Sequence, residues 1–168
     1  MTKRVRSSVG SLVVFSFLLL CAFVIQAAAS GNIHKNDRFG FSLALPGEHK
    51  SLKSSPNGDG ITVNYKDGMT LLAYGGYGPS VMGYDCKATF ESALEFLELD
   101  TVTYRRLNEQ RRWFVISGYK GDSIVYVKRF VGKTAEYAVE MRYPRANASL
   151  YDSFVRTVVE SFTPGDME

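Results

Sequence analysis

The sequence predicts an α+β domain: an antiparallel sheet of six or seven strands covered by two main helices. Three observations carry this. Most apolar runs alternate with a period of two, the mark of strands. The turns between them are short, which forces antiparallel neighbours, because a parallel return needs a crossover of about a dozen residues. Two windows, near residues 86–99 and 149–162, switch to the helical period, giving the order β, ββ, α, ββββ, α.

Ahead of the domain lies a segment of a different kind. Lys3, Arg4 and Arg6 form a positive start, Leu12 to Ile25 is apolar and uncharged, and Gln26 to Ser30 supplies small residues. This is the three-part layout of a secretory signal, with cleavage expected after Ala29. The apolar run is about 14 residues, short of the roughly 20 needed to span a bilayer. Lipid anchoring through Cys21 is a lesser alternative. Leu18-Leu19-Leu20-Cys21 is lipobox-like, but Leu20 is larger than the small residue such a site wants. The expected organisation is a signal over 1–29, a flexible lead-in over 30–38, a single domain over 39–164 and a tail over 165–168.

The first strand is read at Phe39–Leu45, where Phe39, Phe41, Leu43 and Leu45 share one side and Pro46 stops the run. Ser51 to Gly60 is rich in turn formers and reads as a loop. Ile61–Lys66 and Met69–Tyr74 read as a hairpin through Asp67-Gly68, in a type I′ turn. Gly75-Gly76-Tyr77-Gly78-Pro79 then opens an aromatic, glycine-rich loop. Phe90, Ala93, Leu94 and Leu97 form one apolar stripe of the first helix, with Asp85 as its N-cap. Strands follow at Thr101–Leu107, Arg112–Tyr119, Ser123–Val131 and Ala135–Tyr143. In the last, Glu136, Ala138, Glu140 and Arg142 share a face expected to be wet. Ser149 is read as the cap of the second helix, whose stripe is Tyr151, Phe154, Val155, Val158 and Phe162.

Charge and cysteine count narrow the function. The chain has 20 Lys and Arg against 17 Asp and Glu, and Lys3, Arg4 and Arg6 account for the whole surplus. The body of about 138 residues is therefore balanced, which argues against general affinity for nucleic acid. One of the two cysteines, Cys86, survives removal of the leader, so no internal disulfide is available and burial is the expected state of its thiol.

The elements of catalysis are sparse. His34 and His49 are the sole histidines, no Cys-x-x-Cys or His-Glu-x-x-His occurs, and no metal or cofactor is expected. Gly40-Phe41-Ser42-Leu43-Ala44 lacks the final glycine and the following helix of a nucleophile elbow. The glycine-rich stretch lacks the Lys-Ser/Thr of a P-loop. Cys86 as a nucleophile would need a nearby histidine. Asn147-Ala148-Ser149 is a glycosylation sequon, meaningful in a eukaryotic host. Two surfaces stand out for binding. Tyr74, Tyr77 and Tyr84 border the aromatic loop, and Arg105, Arg106, Arg111 and Arg112 flank one hairpin tip, where they suit an anionic surface or guard a sheet edge.

Several segments carry a family resemblance: Arg38-Phe39-Gly40-Phe41-Ser42-Leu43 ahead of Pro46, a strand closing in Met141-Arg142-Tyr143-Pro144, and a final helix closing in Glu160-Ser161-Phe162. With the order of elements, these resemble the PsbP-like superfamily, most nearly its exported bacterial DcrB-like members. The resemblance implies an α-β-α sandwich on an antiparallel sheet and a binding or assembly factor in place of an enzyme. It carries over no site residue, and nothing in it points to the photosystem members. The expectation is thus an exported, non-catalytic binding or assembly module, periplasmic or secreted. Its partner would be another envelope protein or a small ligand, with peripheral membrane contact left open. The alternative is an envelope hydrolase using carboxylates or Cys86 near the loop of residues 75–86.

Overall fold

The computed structural model describes residues 32–78 and 82–168. The signal, its cleavage point and Cys21 lie outside the described residues.

Among the described residues nine strands and two principal helices follow one another as β1 (Asn32–Lys35), β2 (Ser42–Leu45), β3 (His49–Ser54), β4 (Gly60–Tyr65), β5 (Thr70–Tyr77), α1 (Cys86–Phe96), β6 (Thr101–Asn108), β7 (Trp113–Lys120), β8 (Ser123–Val131), β9 (Ala135–Pro144) and α2 (Ala148–Ser161). Strands β3 to β9 make one sheet of seven in the order β3-β4-β5-β9-β8-β7-β6. Every paired neighbour is antiparallel. β1 and β2 form a separate hairpin.

The pleat sorts side chains between two cores. On one face Val63, Leu71, Val139 and Met141 meet Tyr151, Val158 and Phe162 at α2, with Phe41 and Leu43 of the small hairpin closing the same core. On the other face Phe114, Ile116 and Val131 meet Cys86 and Ala93 of α1, flanked by Phe90, Leu94 and Leu97. The two helices therefore cover opposite faces, and the α+β architecture is an α-β-α sandwich.

Some expectations change. The Gly31–Asp37 lead-in, expected as flexible, carries β1, whose Asn32 to Lys35 pair with Leu45 to Ser42. No apolar alternation announces it; Ile33, its one large apolar residue, is 69 % exposed. A turn at Asn36 makes the pairing instead. Its N–H donates to the Phe41 carbonyl, its side-chain oxygen accepts from the Phe39 N–H, and its amide nitrogen donates to the Gly58 carbonyl. The chain turns at Gly40, whose φ of +74° favours glycine, so the first core strand starts at Ser42 and not at Phe39. The first part of the Ser51–Gly60 loop, Ser51 to Ser54, belongs to edge strand β3, which is mostly exposed and is held to β4 by the backbone ladder and by a bond that Asn64 donates to the Ser51 hydroxyl.

The Asp67-Gly68 hairpin forms, but not as type I′. Gly68 alone has positive φ, at +90°, and the Tyr65 N–H donates to the Met69 carbonyl around a three-residue loop, Lys66-Asp67-Gly68. α2 begins at Ala148, so Ser149 lies inside it. Asn147 takes the N-cap position without a side-chain bond. The expected wet face of β9 is half covered. Ala138 is fully buried, Glu136 and Glu140 are intermediate, and Arg142 is exposed.

Candidate functional site

α1 is set by its cap. Asp85 accepts a 2.7 Å bond from the Ala88 N–H, and Phe90 meets the ring of Phe114 edge-on at 5.5 Å. The helix thereby sits over β7 and β8 and leaves the same face of β9 and β5 open along its flank. A groove of about 440 Å³ results, walled by Met82, Tyr84, Thr89, Ser92, Ala93, Phe96 and Leu97 and floored by Val127, Arg129 and Glu140. Its rim is apolar and open to solvent: Phe96 is 84 % exposed and Met82 75 %.

The floor is charged. Arg129 of β8 lies opposite Ala138 of β9, and Ala138 in turn lies opposite Tyr74 of β5. The guanidinium therefore falls between Glu136 and Glu140, at 3.6 Å and 3.5 Å, and donates a 3.0 Å bond to the Tyr74 hydroxyl. It is also 6.0 Å from the ring centroid of Phe114, a cation–π contact. Two buried polar atoms here, Nε of Arg129 and Oε2 of Glu136, have no hydrogen-bond partner. Burial raises the Glu136 carboxyl above the usual range, against the opposing pull of Arg129, and Glu140 adds to the rise. Burial likewise raises the Tyr74 hydroxyl, which keeps it protonated.

No family model matches this chain, nor does any curated protein. Among solved structures the chain is similar to the solution structure of cyanobacterial PsbP (CyanoP) from Synechocystis sp. PCC 6803. That likeness has a TM-score of 0.56 at 11 % identity, over 86 % of this chain and 96 % of that one. The chain has a PsbP-like fold.

Within this PsbP-like fold the residues singled out in the sequence scatter. Tyr84 stands in the groove wall, while Tyr74 does not line the groove and meets it only by accepting a bond from Arg129 of the floor. Tyr77 stands 77 % exposed at the end of β5, edge-on to Phe39 at 5.9 Å and outside the groove lining. Arg105 and Arg106 are exposed on opposite faces of β6, as the pleat requires, and Arg106 stacks over Trp113 at 5.4 Å. Arg111 is exposed in the turn and Arg112 half-buried there, with a φ of +54°. The four arginines thus do not share one face. Cys86 is buried under α1, and its thiol is pushed up to about 11, mostly by burial; Arg112 opposes the shift and Asp85 and Glu109 add to it. His34 and His49 stand on different strands, and among the described residues no three His, Cys, Asp or Glu side chains converge as metal ligands.

The charged floor escaped the sequence reading, which did not single out Arg129, Glu136 or Glu140. Their signal was the register. The short turn after Val131 pairs Val131 with Glu136, and counting back sets Arg129 diagonal to both carboxylates.

Proposed function

We propose that this chain is an exported, non-catalytic binding or assembly module of the cell envelope, akin to DcrB-like periplasmic proteins, and that the groove beside α1 is its binding place. The observation that carries the reading is the exposed apolar rim of Phe96, Met82 and Tyr84 around a concave, mostly carbon-lined space. Apolar surface is left in water beside a cavity chiefly where something is to cover it. Export rests on the leader over residues 1–29, and the binding role is in keeping with the superfamily the sequence resembles. The occupant is another envelope protein or a small ligand.

The hydrolase alternative has one observation in its favour: Arg129 of the floor pairs with two carboxylates, Glu140 in the lining and Glu136 behind it, and the latter has a raised pKa, a pattern seen at acid–base sites. Against it, Arg129 is lodged between the two, and the Cys86 thiol is far too basic to serve as a nucleophile at neutral pH.

Expression with the native leader tests export. The product should have the mass of a chain starting at Ser30; full-length protein held in the cytosol contradicts the proposal. A photo-crosslinker at position 96 tests the groove, with position 150 on α2 as control, since Leu150 is also exposed, at 68 %. An adduct at 96 and none at 150 is expected. Adducts at 150 alone, or at neither, reject the groove. Hydrolysis of simple esters or amides that is lost in Glu136→Gln would favour the enzyme.

A further inference from the structure

We propose that the outer corner of the sheet, where β6 and β7 pass on the α2 side, is a contact face for an anionic lipid surface. This face lies across the sheet from the groove beside α1 and does not depend on it.

Charge is spread unevenly along the chain. Residues 101–131, which hold β6, β7 and β8, contain seven Lys and Arg against two acids, Glu109 and Asp122, and both acids lie in turns. Two of the seven are paired: Arg129 with Glu136 and Glu140, and Lys120 with Glu98. Arg106 and Lys128 make no ion pair with any described carboxylate; Asp152 and Glu160 of the neighbouring α2 are exposed and reach neither. The register brings these two cations together. Both lie directly opposite Val115 of β7, one on each side. Both reach the ring of Trp113, two residues before Val115 on the same face: the Arg106 guanidinium is 5.4 Å and the Lys128 ammonium 5.9 Å from its centroid. Trp113 is the one tryptophan of the chain and is part of neither core. Tyr104, half exposed, stands two residues before Arg106 on the same face of β6. Lys128 is half-buried, and its ammonium donates a bond of 3.4 Å to the Val159 carbonyl. Burial holds its pKa below the ordinary lysine value, so an anion brought against it relieves a cost.

The chemistry of the alternatives is less favourable. A small anion would meet the two cations but leave the rings of Trp113 and Tyr104 in water. An acidic peptide would use the cations, yet it offers no apolar layer to the rings. A bilayer surface offers both: phosphates outermost and, just beneath, the boundary at which Trp and Tyr side chains settle with one end apolar and the other wet. Arg105 and Arg111, exposed at the same edge of the sheet, outweigh the single Glu109 there and add to the attraction when the sheet meets the surface edge-on.

Co-sedimentation of the processed protein with vesicles at low salt tests this, with the emission of Trp113 as a second readout. Vesicles of phosphatidylglycerol and phosphatidylcholine in equal parts should carry the protein down and shift the emission to the blue. Phosphatidylcholine alone should do neither, and high salt should release the bound protein. Arg106→Gln and Lys128→Gln should each weaken binding about fivefold, whereas Lys53→Gln on the opposite edge strand β3 and Phe96→Ser at the groove rim should change it by less than about twofold. Thermal unfolding checks each variant; should Lys128→Gln not fold, Arg106→Gln decides alone. Equal binding to both kinds of vesicle, or binding to neither, overturns the lipid face. Equal losses from Lys53→Gln and Arg106→Gln reduce the effect to general charge and overturn it too. A loss on Phe96→Ser with none on Arg106→Gln moves the lipid contact to the groove and overturns this face. A soluble oligoglutamate that binds more tightly than the vesicles, and is weakened by Arg106→Gln, replaces the lipid by an acidic protein.

Discussion

Arg129 is the side chain on which the α1 face of the sheet depends most. It is 19 % exposed and touches Glu136, Glu140, Tyr74 and the ring of Phe114. Removing it would leave two carboxylates facing each other with little water to separate them. Arg129→Met should therefore destabilise the fold by about 3 kcal/mol at neutral pH, as expected for the loss of one partner of a buried ion pair. The loss should shrink near pH 4, where the raised Glu136 carboxyl can take up a proton; urea denaturation at the two pH values measures both. Glu136 behaves in the opposite sense. Its carboxyl is raised above the ordinary 4.5, so the folded chain keeps that proton to higher pH than the unfolded chain does. Its contribution to stability is greatest in acid and declines as pH rises from about 4.5 through the folded value. Glu136→Gln should flatten this decline, so that the variant gains on the parent chain between acid and neutral pH. Cys86 gives a further check at this scale. Being buried and raised to about 11, it should react with a disulfide reagent at least tenfold more slowly in the folded than in the urea-unfolded chain.

The two helices carry unequal loads. α2 closes the larger core: Phe162 is 4 % exposed and packs on Phe41 and Phe130 with ring centroids 5.8 Å away in each case. Phe162→Ala should cost about 4 kcal/mol, in the range for a buried aromatic. Phe96→Ser, on the exposed flank of α1, should cost less than about 0.5 kcal/mol. Equal losses in chemical denaturation would mean that the rim of the groove is structural.

Legibility follows the same division. α1 and α2 could be read because their apolar stripes repeat at the helical period, and Asp85 announced a cap that the structure uses. β1 and β3 could not be read, because each is held by backbone bonds to one neighbour and shows no alternating apolar face. The turn at Lys66-Asp67-Gly68 shows a limit of dipeptide signals: Asp-Gly located the hairpin, yet the glycine alone adopts positive φ. The charged floor was missed for another reason. Glu136 and Glu140 alternate with apolar residues as any solvated face does, and only their register against Arg129 tells a wet strand from the bottom of a groove.

At the scale of the whole molecule, the sandwich is asymmetric. One face of the sheet is closed by α2 and the β1–β2 hairpin, and the other is only partly closed by α1. Short connections suffice to reverse direction at most edges, so the sheet is built almost entirely from hairpins, with β9 at its centre. That central strand joins the two faces of the fold: Tyr137, Val139 and Met141 anchor the main core, while Glu140 on the alternate face lines the groove and, with Glu136, pairs with Arg129. The surface left uncovered by α1 is thus backed by the most deeply embedded strand, which suits a rigid binding floor.

Amide-resolved NMR titration of the processed protein with octanol, a small apolar probe, tests that arrangement most directly. Shifts should concentrate on Ala93, Phe96 and Leu97 of α1, on Val127 and Arg129 of β8 and on Glu140 of β9, and should leave α2 and the β1–β2 hairpin unmoved. Shifts centred on α2 and that hairpin, or none at saturating probe, would contradict a binding site on the α1 face.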